Sequence, residues 1–394
     1  MSGAPKPKAA VTLVLGLGQL VAFASSFYLL GVLGDPIAAD LALPPTFVFS
    51  LMSVAMVVTP LVAAPYGRWM DAHGGKGMLL LSNLVFAVGL VLLALAQGGL
   101  TITLAILVIG LGMAIGLYGT PFATLVSLYG EAARRPITGV ALLGGLGSTV
   151  GWPLTLHFEQ AFGWRGACVA WALAHLALMP LAALAVPKVR GRAADGTDAN
   201  AGDTVVWDRR MVQMAVLFAC SWFVSTSMSS HLPRLLSEFG LTPAKAAAIA
   251  GLTGLASVTV RFAEFTVLRR FRPLIATRVA TLMHPLGATG LLTLGARGAP
   301  LMALGHGAGS GMLTVAKGVL PLSLYGPANY AYRSARLSRP AQIVQIGGPA
   351  LYALALAQSP KAALALSAGL CLVMFAMTFG LQTHSKPQKE HAAA

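Results

Sequence analysis

Apolar stretches of about 20 residues recur along the whole chain, and short polar breaks separate them. A helix of that length crosses the hydrocarbon core of a bilayer. The pattern predicts twelve membrane-spanning helices, at residues 11–33, 46–66, 77–97, 101–127, 137–156, 166–186, 211–230, 246–268, 275–295, 300–324, 341–358 and 361–382. The expected fold class is therefore an all-α integral membrane protein with twelve transmembrane helices.

Composition agrees with this pattern, because 56% of the residues are hydrophobic and only 10% are charged, far from the average of soluble domains. The formal charge of +15 raises the question of nucleic-acid binding. However, most lysines and arginines lie in alternate loops and in the two tails, as at Arg134, Arg135, Arg209 and Arg210. This is the positive-inside pattern. It predicts a multi-pass protein of the cytoplasmic (inner) membrane with both termini in the cytoplasm, and no nucleic-acid partner.

The first apolar run contains Ala22-Phe23-Ala24, which has the small-x-small form of a signal-peptidase site. The run continues to Leu33, and its removal would leave an odd number of spans. We therefore expect it to be retained as the first helix.

An internal repeat divides the chain into two halves. The tetrapeptide SLYG ends the fourth span at 127–130 and the tenth span at 323–326, and an Arg-Pro pair follows each copy, at 135–136 and 339–340. Between the halves, residues 187–210 are polar and have no apolar stripe, which is typical of a flexible linker. We predict a six-helix bundle at 1–186, a cytoplasmic linker at 187–210, and a second six-helix bundle with a short tail at 211–394.

The segment between spans two and three reads PYGRWMDAHGGKGML, with Gly67, Asp71, Gly74 and Lys76 spaced as Gly-x-x-x-Asp-x-x-Gly-x-basic. This resembles the signature loop of the major facilitator superfamily. The twelve spans, the two halves and the long central loop agree with that resemblance over essentially the whole chain. It implies alternating-access transport, with these four residues in a gating contact near helix ends. In the second half only the basic position of the motif is retained, at Arg272.

Within the superfamily, residues 231–261 resemble bacterial relatives of the monocarboxylate transporters and oxalate/formate exchangers. That resemblance implies a role for Arg261 in binding a substrate carboxylate. The aspartate found one turn earlier in the monocarboxylate group is replaced here by Ser257, so the proton coupling of that group does not carry over.

Three charged residues lie inside predicted spans: Arg261, Glu264 and Lys317. An ion at the centre of a membrane helix costs about 2.5–3.5 kcal/mol and therefore suggests a functional site. Two cations against one carboxylate favour an anionic ligand, with Arg261 as a planar fork and Lys317 as a point charge. Glu264 is the candidate proton carrier. The alternative is a structural Arg261–Glu264 pair, with Lys317 reaching toward water.

The first half contributes only polar and aromatic groups to the predicted cavity. Gln19, Tyr28 and Tyr118 are its candidate substrate-binding residues. A cavity that is charged on one side and aromatic on the other suits an amphipathic organic anion.

Motifs of other protein classes are missing from the sequence. No Cys/His cluster has metal-ligand spacing, no nucleophile is paired with a base, and GHGAGSGM at 305–312 lacks the setting of a phosphate loop and is expected to pack helices. We expect no enzymatic activity, no cofactor and no metal.

The sequence thus predicts a monomeric secondary active transporter that moves a small organic anion through the bilayer, driven by a proton gradient or by exchange for a counter-anion. The alternative is an efflux pump for amphipathic drugs or metabolites, in which Arg261 is structural.

Overall fold

The computed structural model describes residues 7–188, 205–266 and 272–381. Over these ranges the regular secondary structure is helical, with no strand. The α-helices are α1 (Ala9–Ala24), α2 (Leu30–Asp40), α3 (Pro45–His73), α4 (Gly75–Ala94), α5 (Gly99–Gly116), α6 (Gly119–Tyr129), α7 (Arg134–Gly145), α8 (Gly147–Ala185), α9 (Arg209–Glu238), α10 (Pro243–Thr266), α11 (Pro273–Leu294), α12 (Ala299–Tyr325), α13 (Tyr330–Gln358) and α14 (Pro360–Met377).

These helices make twelve crossings, which confirms the predicted fold class. Three crossings consist of two helices each: α1 with α2, α5 with α6, and α7 with the first part of α8. That crossing and the next one meet within α8 at Gly163, where φ is 69°. By length and hydropathy, seven described helical segments can span a membrane, and two of them, 99–151 and 273–325, reach 53 residues each. Those two contain more than one crossing, because the chain reverses at 3₁₀ turns at Gly130–Ala133 and Gly295–Gly298.

The repeated SLYG tetrapeptide marks equivalent helix ends. Helix α6 ends at Tyr129 and α12 ends at Tyr325, and the following glycines, Gly130 and Gly326, have φ of 56° and 73°. Their backbone N–H groups donate to Val126 and Leu322. A glycine just after the helix is a common C-terminal cap, since it adopts positive φ without strain.

The second Arg-Pro pair lies inside a helix, so the two copies of the repeat differ here in structure. Arg135-Pro136 lies in the first turn of α7, but α13 begins at Tyr330 and carries Pro340 in its interior. Helix α3 likewise continues to His73, well beyond the predicted end at residue 66. The signature segment is therefore mostly helical, and the turn between α3 and α4 is made by Gly74 alone.

Three clusters of buried apolar side chains organise the molecule. One lies within the first half and includes Leu90 and Trp171. Another lies mainly within the second half and includes Phe218 and Tyr352. The third joins the halves and contains first-half residues such as Leu125 and second-half residues such as Val319.

The third cluster lies at one end of the bundle, which we call the terminal face, where α1, α4, α7 and α13 begin and α3, α6 and α12 end. The opposite end is the far face. Apolar side chains of both halves pack together at the terminal face. The two halves are therefore closed against each other at this end. The predicted bundle boundaries remain a prediction, since most of the linker, 189–204, lies outside the described residues.

Glycine faces on α12 allow close helix packing. A side-chain carbon added at Gly305 or Gly309 would meet the backbone of α11, at Met283 O and Ala280 O. The glycines at 307 and 311 meet the backbone of α10 in the same way. This is the small-residue packing that membrane helices use, and it agrees with the packing role expected for the 305–312 segment.

Candidate functional site

Arg261 lies on α10 and is only 8% exposed. Its guanidinium donates three hydrogen bonds: Nε to Gly311 O at 3.3 Å, Nη2 to Thr314 Oγ1 at 3.1 Å, and Nη1 to Ala141 O at 3.5 Å. All three acceptors are neutral. The first two belong to α12 of the second half and the third belongs to α7 of the first half, so Arg261 bridges the two halves.

A glycine-rich stretch between α7 and α8 forms the first-half wall beside Arg261. A side-chain carbon at Gly144 would lie 2.7 Å from Tyr118 Oη and 3.1 Å from Gln19 Cβ, one at Gly145 would overlap Arg261 Nη1, and one at Gly147 would lie 3.3 Å from Tyr28 Cε2. The structure therefore gathers four of the predicted substrate-binding residues around one segment: Arg261, Tyr118, Gln19 and Tyr28.

The surroundings of the three first-half residues differ. Tyr118 Oη donates to Ala141 O at 3.3 Å, the same carbonyl that Arg261 uses. The Tyr118 ring lies 4.9 Å from the ring of Phe23, which is 6.4 Å from that of Tyr28. Gln19 is 3% exposed and donates to Gly116 O at 2.8 Å. Tyr118 and Tyr28 thus belong to an aromatic wall, whereas Gln19 lies among the first-half helices.

Lys317 lies on α12, and its Nζ stands 4.2 Å from the ring centre of Trp222 on α9. This is a cation–π contact, which is strongest with tryptophan. Lys317 lies about one turn beyond Thr314 on α12, and Thr314 accepts a hydrogen bond from Arg261. In the described part of the chain, neither cation forms an ion pair with a carboxylate. The interior of the second half therefore carries two cations whose direct contacts are all neutral.

Glu264 lies about one turn beyond Arg261 on α10, nearer the terminal face. It lines a cavity of about 210 Å³ between α7 and α10, with Glu131, Ala132, Arg134, Arg135, Thr138 and Phe265. Of the positive charges that act on it, that of Arg134 has the larger effect and that of Arg261 the smaller. Glu264 is 6% exposed, and its Oε2 atom has no hydrogen-bond partner. The direct Arg261–Glu264 ion pair considered from the sequence is not formed between these two described residues.

The signature residues lie where the halves meet at the terminal face. Asp71 accepts hydrogen bonds from the backbone N–H groups of Ala331 and Tyr332, at 3.1 and 2.8 Å, in the first turn of α13. A side-chain carbon at Gly67 would lie 2.8 Å from Tyr332 Cα. Lys76 donates to Ala183 O at the end of α8, at 2.5 Å. Asp71 and Gly67 thus contact the second half, while Lys76 contacts the first.

A family model described as Major Facilitator Superfamily matches residues 15–315. The chain belongs to this superfamily. The resemblance seen in the signature segment is thereby confirmed, and the protein is a multi-pass membrane transporter of this family. No curated protein sequence matches the chain.

Solved structures of other major facilitator proteins share the fold of this transporter. The human organic anion transporter MFSD10 (TETRAN) is 17% identical, with a TM-score of 0.73 over 95% of this chain and 100% of that one. The transporter FucP in the outward conformation is 16% identical, with a TM-score of 0.74 over 94% and 98%. The proton:xylose symporter XylE, bound to 6-bromo-6-deoxy-D-glucose, is 12% identical, with a TM-score of 0.74 over 95% and 96%.

Several polar residues of this major facilitator transporter join the site without having been predicted. Ser225 on α9 and Ser310 on α12 bring their hydroxyl oxygens to 3.3 Å, and Thr314 binds Arg261. Ser310, Thr314 and Lys317 share one face of α12 by helical spacing. The helical spacing of these three residues could have identified them as a group from the sequence. Trp222 lies on another helix, and no sequence pattern connects it with them.

The buried histidines form two polar networks away from Arg261. His175 accepts from Ser25 Oγ through Nε2 and donates to Asn83 Oδ1 through Nδ1, both at 2.8 Å. His284 and His306 bring their Nδ1 atoms to 3.1 Å between α11 and α12. The first network links α4 and α8 to the bend after α1, and its hydrogen bonds satisfy polar groups that burial would otherwise leave unpaired.

Proposed function

We propose that this transporter moves a small organic anion by alternating access, with Arg261 as the anchor of the anionic group. The observation that carries the proposal is the environment of Arg261, which is 8% exposed and hydrogen-bonds only neutral acceptors. A buried cation that is not paired directly with a carboxylate is costly. A carboxylate or similar group of the substrate would supply the missing charge. The guanidinium has two further N–H groups, and an anion bound to them would compete with the neutral acceptors of the other three.

Lys317 is the second cation of the proposed site. It is held by the face of Trp222 rather than by a carboxylate, so its charge is also available to an anion. The aromatic wall of Phe23, Tyr28 and Tyr118 would contact the apolar part of the substrate, and the polar groups of α12 would surround its charged end. An amphipathic anion fits both walls.

Glu264 is the proposed proton carrier. Its buried carboxyl group has an unpartnered oxygen and adjoins a cavity that reaches toward the terminal face. Protonation would remove the negative charge that Arg134 and Arg261 attract. Exchange against a second anion is the other possible driving force, and the dependence of transport on pH distinguishes the two.

Asp71, Gly67, Gly74 and Lys76 are proposed to form the gate at the terminal face. The hydrogen bonds from Ala331 and Tyr332 to Asp71 exist only while the two halves meet at that face. The positive-inside pattern makes the terminal face cytoplasmic, so we propose a protein of the inner membrane, active as a monomer, that is open to the outside in the state described.

The second candidate function is efflux of amphipathic drugs or metabolites. The aromatic wall favours it, and the neutral partners of Arg261 would then be purely structural. Among the similar structures, one is described as an organic anion transporter and another as a proton:xylose symporter. At these identities they support the fold alone, and the choice rests on the site.

Thermal stabilisation of the purified protein tests the proposal. The panel contains mono- and dicarboxylates, phosphonates, aromatic acids and cationic drugs, each assayed on the parent and on Arg261→Gln. A ligand that binds only the folded protein raises its apparent stability with occupancy. We expect at least one anion to stabilise the parent and not Arg261→Gln.

The control variant is Arg278→Gln. Arg278 also donates to neutral acceptors, the hydroxyl and carbonyl oxygens of Thr378, but it lies between α11 and α14. Its substitution should leave the anion response intact. If cations or neutral amphiphiles alone stabilise the parent and Arg261→Gln alike, the efflux function replaces the anion transporter.

A further inference from the structure

Arg261 is a contact between the two halves as well as part of the proposed site. It belongs to α10, whereas Ala141 and Gly145 belong to α7, and these two helices pack against each other. Nη1 of Arg261 donates to Ala141 O at 3.5 Å. Alternating access moves the two halves relative to each other, so this hydrogen bond cannot persist unchanged through the cycle.

Gly145 makes room for this contact. A side-chain carbon at position 145 would overlap Nη1 of Arg261 and would lie 3.2 Å from Cζ. Any residue larger than glycine would therefore push the guanidinium away from α7. The contact depends on glycine because a side chain from the other half approaches closely, and not because of the backbone conformation of Gly145, which is helical.

The hydrogen bond to Ala141 is the weakest of the three that hold Arg261. Its length of 3.5 Å is the longest, and the same carbonyl also accepts from Tyr118 Oη. A guanidinium binds a carboxylate more strongly than a neutral carbonyl, because both partners are charged and two parallel hydrogen bonds can form. An anion arriving at Arg261 would therefore displace the Ala141 carbonyl before it displaced Gly311 or Thr314.

We propose that Gly145 and the Ala141 carbonyl form a docking point for Arg261, and that anion binding undocks it and releases α7 from α10. The anion part rests on the proposed function, whereas the docking part does not. Docking stabilises the state with the terminal face closed. The anion, by binding the undocked guanidinium more tightly, shifts the population toward the other state, as any ligand with different affinities for two states does.

Spin labels on the far face test the docking part without any ligand. Gln97 and Arg297 are exposed and lie on far-face turns of the first and second halves. Spin labels attached to cysteines at these two positions, in a variant that lacks the three cysteines of the chain, would report the distance between the halves. We expect Gly145→Ala to raise the population of the state in which positions 97 and 297 lie close together by about tenfold. This is near the lower end of what a hydrogen bond to a charged group contributes, because the bond to Ala141 is the longest of the three.

A double-variant cycle shows whether Gly145 acts through Arg261. Arg261→Gln should produce the same shift, and Gly145→Ala should add nothing to it. The control is Gly254→Ala on α10, where an added side-chain carbon meets no atom within 4 Å; it should leave the distances unchanged. An equal shift from Gly145→Ala in both backgrounds, or no shift in either, overturns the docking point.

Tyr118→Phe is a second variant that keeps the proposal falsifiable if Gly145→Ala does not fold. It removes the other donor to the Ala141 carbonyl and should strengthen docking. The population of the state in which the labels at positions 97 and 297 lie close together should therefore fall. A rise in that population would contradict the proposal.

The last measurement adds an anion to the protein. An anion that stabilises the parent should bind Gly145→Ala more tightly. Its apparent affinity should rise by about the same factor as the population of the state with close far-face labels, because the docked state no longer competes. An unchanged or lower affinity overturns the coupling. If no anion stabilises the parent, the proposed function fails, while the ligand-free distances still decide the docking point.

Discussion

Asp71 and Tyr332, separated by 261 positions in the sequence, are joined by a hydrogen bond of 2.8 Å from the Tyr332 backbone N–H to the Asp71 carboxylate. Ala331 donates to the other carboxylate oxygen at 3.1 Å. The first turn of a helix has N–H groups without partners inside the helix, and a carboxylate there is favourable. The second half of the transporter thus has one of its helices capped by the first half.

Replacing Asp71 with asparagine should weaken this closed contact. Asparagine offers one acceptor oxygen in place of two and carries no charge, so we expect the closed terminal face to lose about 1 kcal/mol. The far-face labels at positions 97 and 297 measure the resulting shift in population. Binding of the stabilising anion should persist.

Asp208 provides the matched control for Asp71→Asn. It caps α9 by accepting the Met211 N–H at 2.8 Å and also accepts from Tyr325 Oη, so both partners lie in its own half. Asp208→Asn should leave the distance between the halves unchanged. An abolished anion response in Asp71→Asn would place Asp71 in the binding site and contradict the gate.

Gly74→Ala should destabilise the protein, because Gly74 has φ of 78° and ψ of 172°. That conformation is essentially restricted to glycine, and a strained residue costs about 1–3 kcal/mol. A lower midpoint of thermal unfolding in detergent is the expected result. Gly18→Ala is the control, since nothing lies within 4 Å of the added carbon; equal midpoints for the two variants would show that the turn relaxes without cost.

Glu264→Gln should make transport independent of pH. The Glu264 carboxyl group is buried in α10 with one oxygen unpartnered, and glutamine keeps its size but cannot exchange a proton. Uptake into vesicles at a series of pH values, with and without a proton gradient, is the measurement. Glu131→Gln, at the same cavity, serves as the control, and a pH profile of Glu264→Gln like that of the parent would return Glu264 to a structural role.

Anion binding should draw Lys317 away from Trp222. The ammonium group lies 4.2 Å from the ring centre, and a carboxylate nearby would compete for it. The fluorescence of Trp222, one of six tryptophans, should therefore change on addition of the anion. Trp222→Phe should lose most of that change while it still binds; an undiminished change in Trp222→Phe would locate the reporting tryptophan elsewhere.

Much of the fold followed from local pattern. The apolar stretches set the twelve crossings, because any helix in a bilayer must satisfy its own backbone hydrogen bonds and needs about 20 apolar residues to do so. The SLYG repeat indicated equivalent helix ends, since glycine supplies the positive φ that ends a helix. The signature spacing identified the family, and the rarity of charge inside spans singled out Arg261, Glu264 and Lys317.

The contacts between helices were decided by tertiary structure alone. Helix α13 begins eleven residues before the predicted span because Asp71 of the other half caps it, and no local signal marks that start. Arg261 and Glu264 share a helix face yet have separate surroundings, since Arg261 extends to α12 and α7 while Glu264 borders a cavity toward the terminal face. Hydrophobic periodicity is a property of one helix. The partners of a buried charge, in contrast, depend on which helices the fold brings beside it.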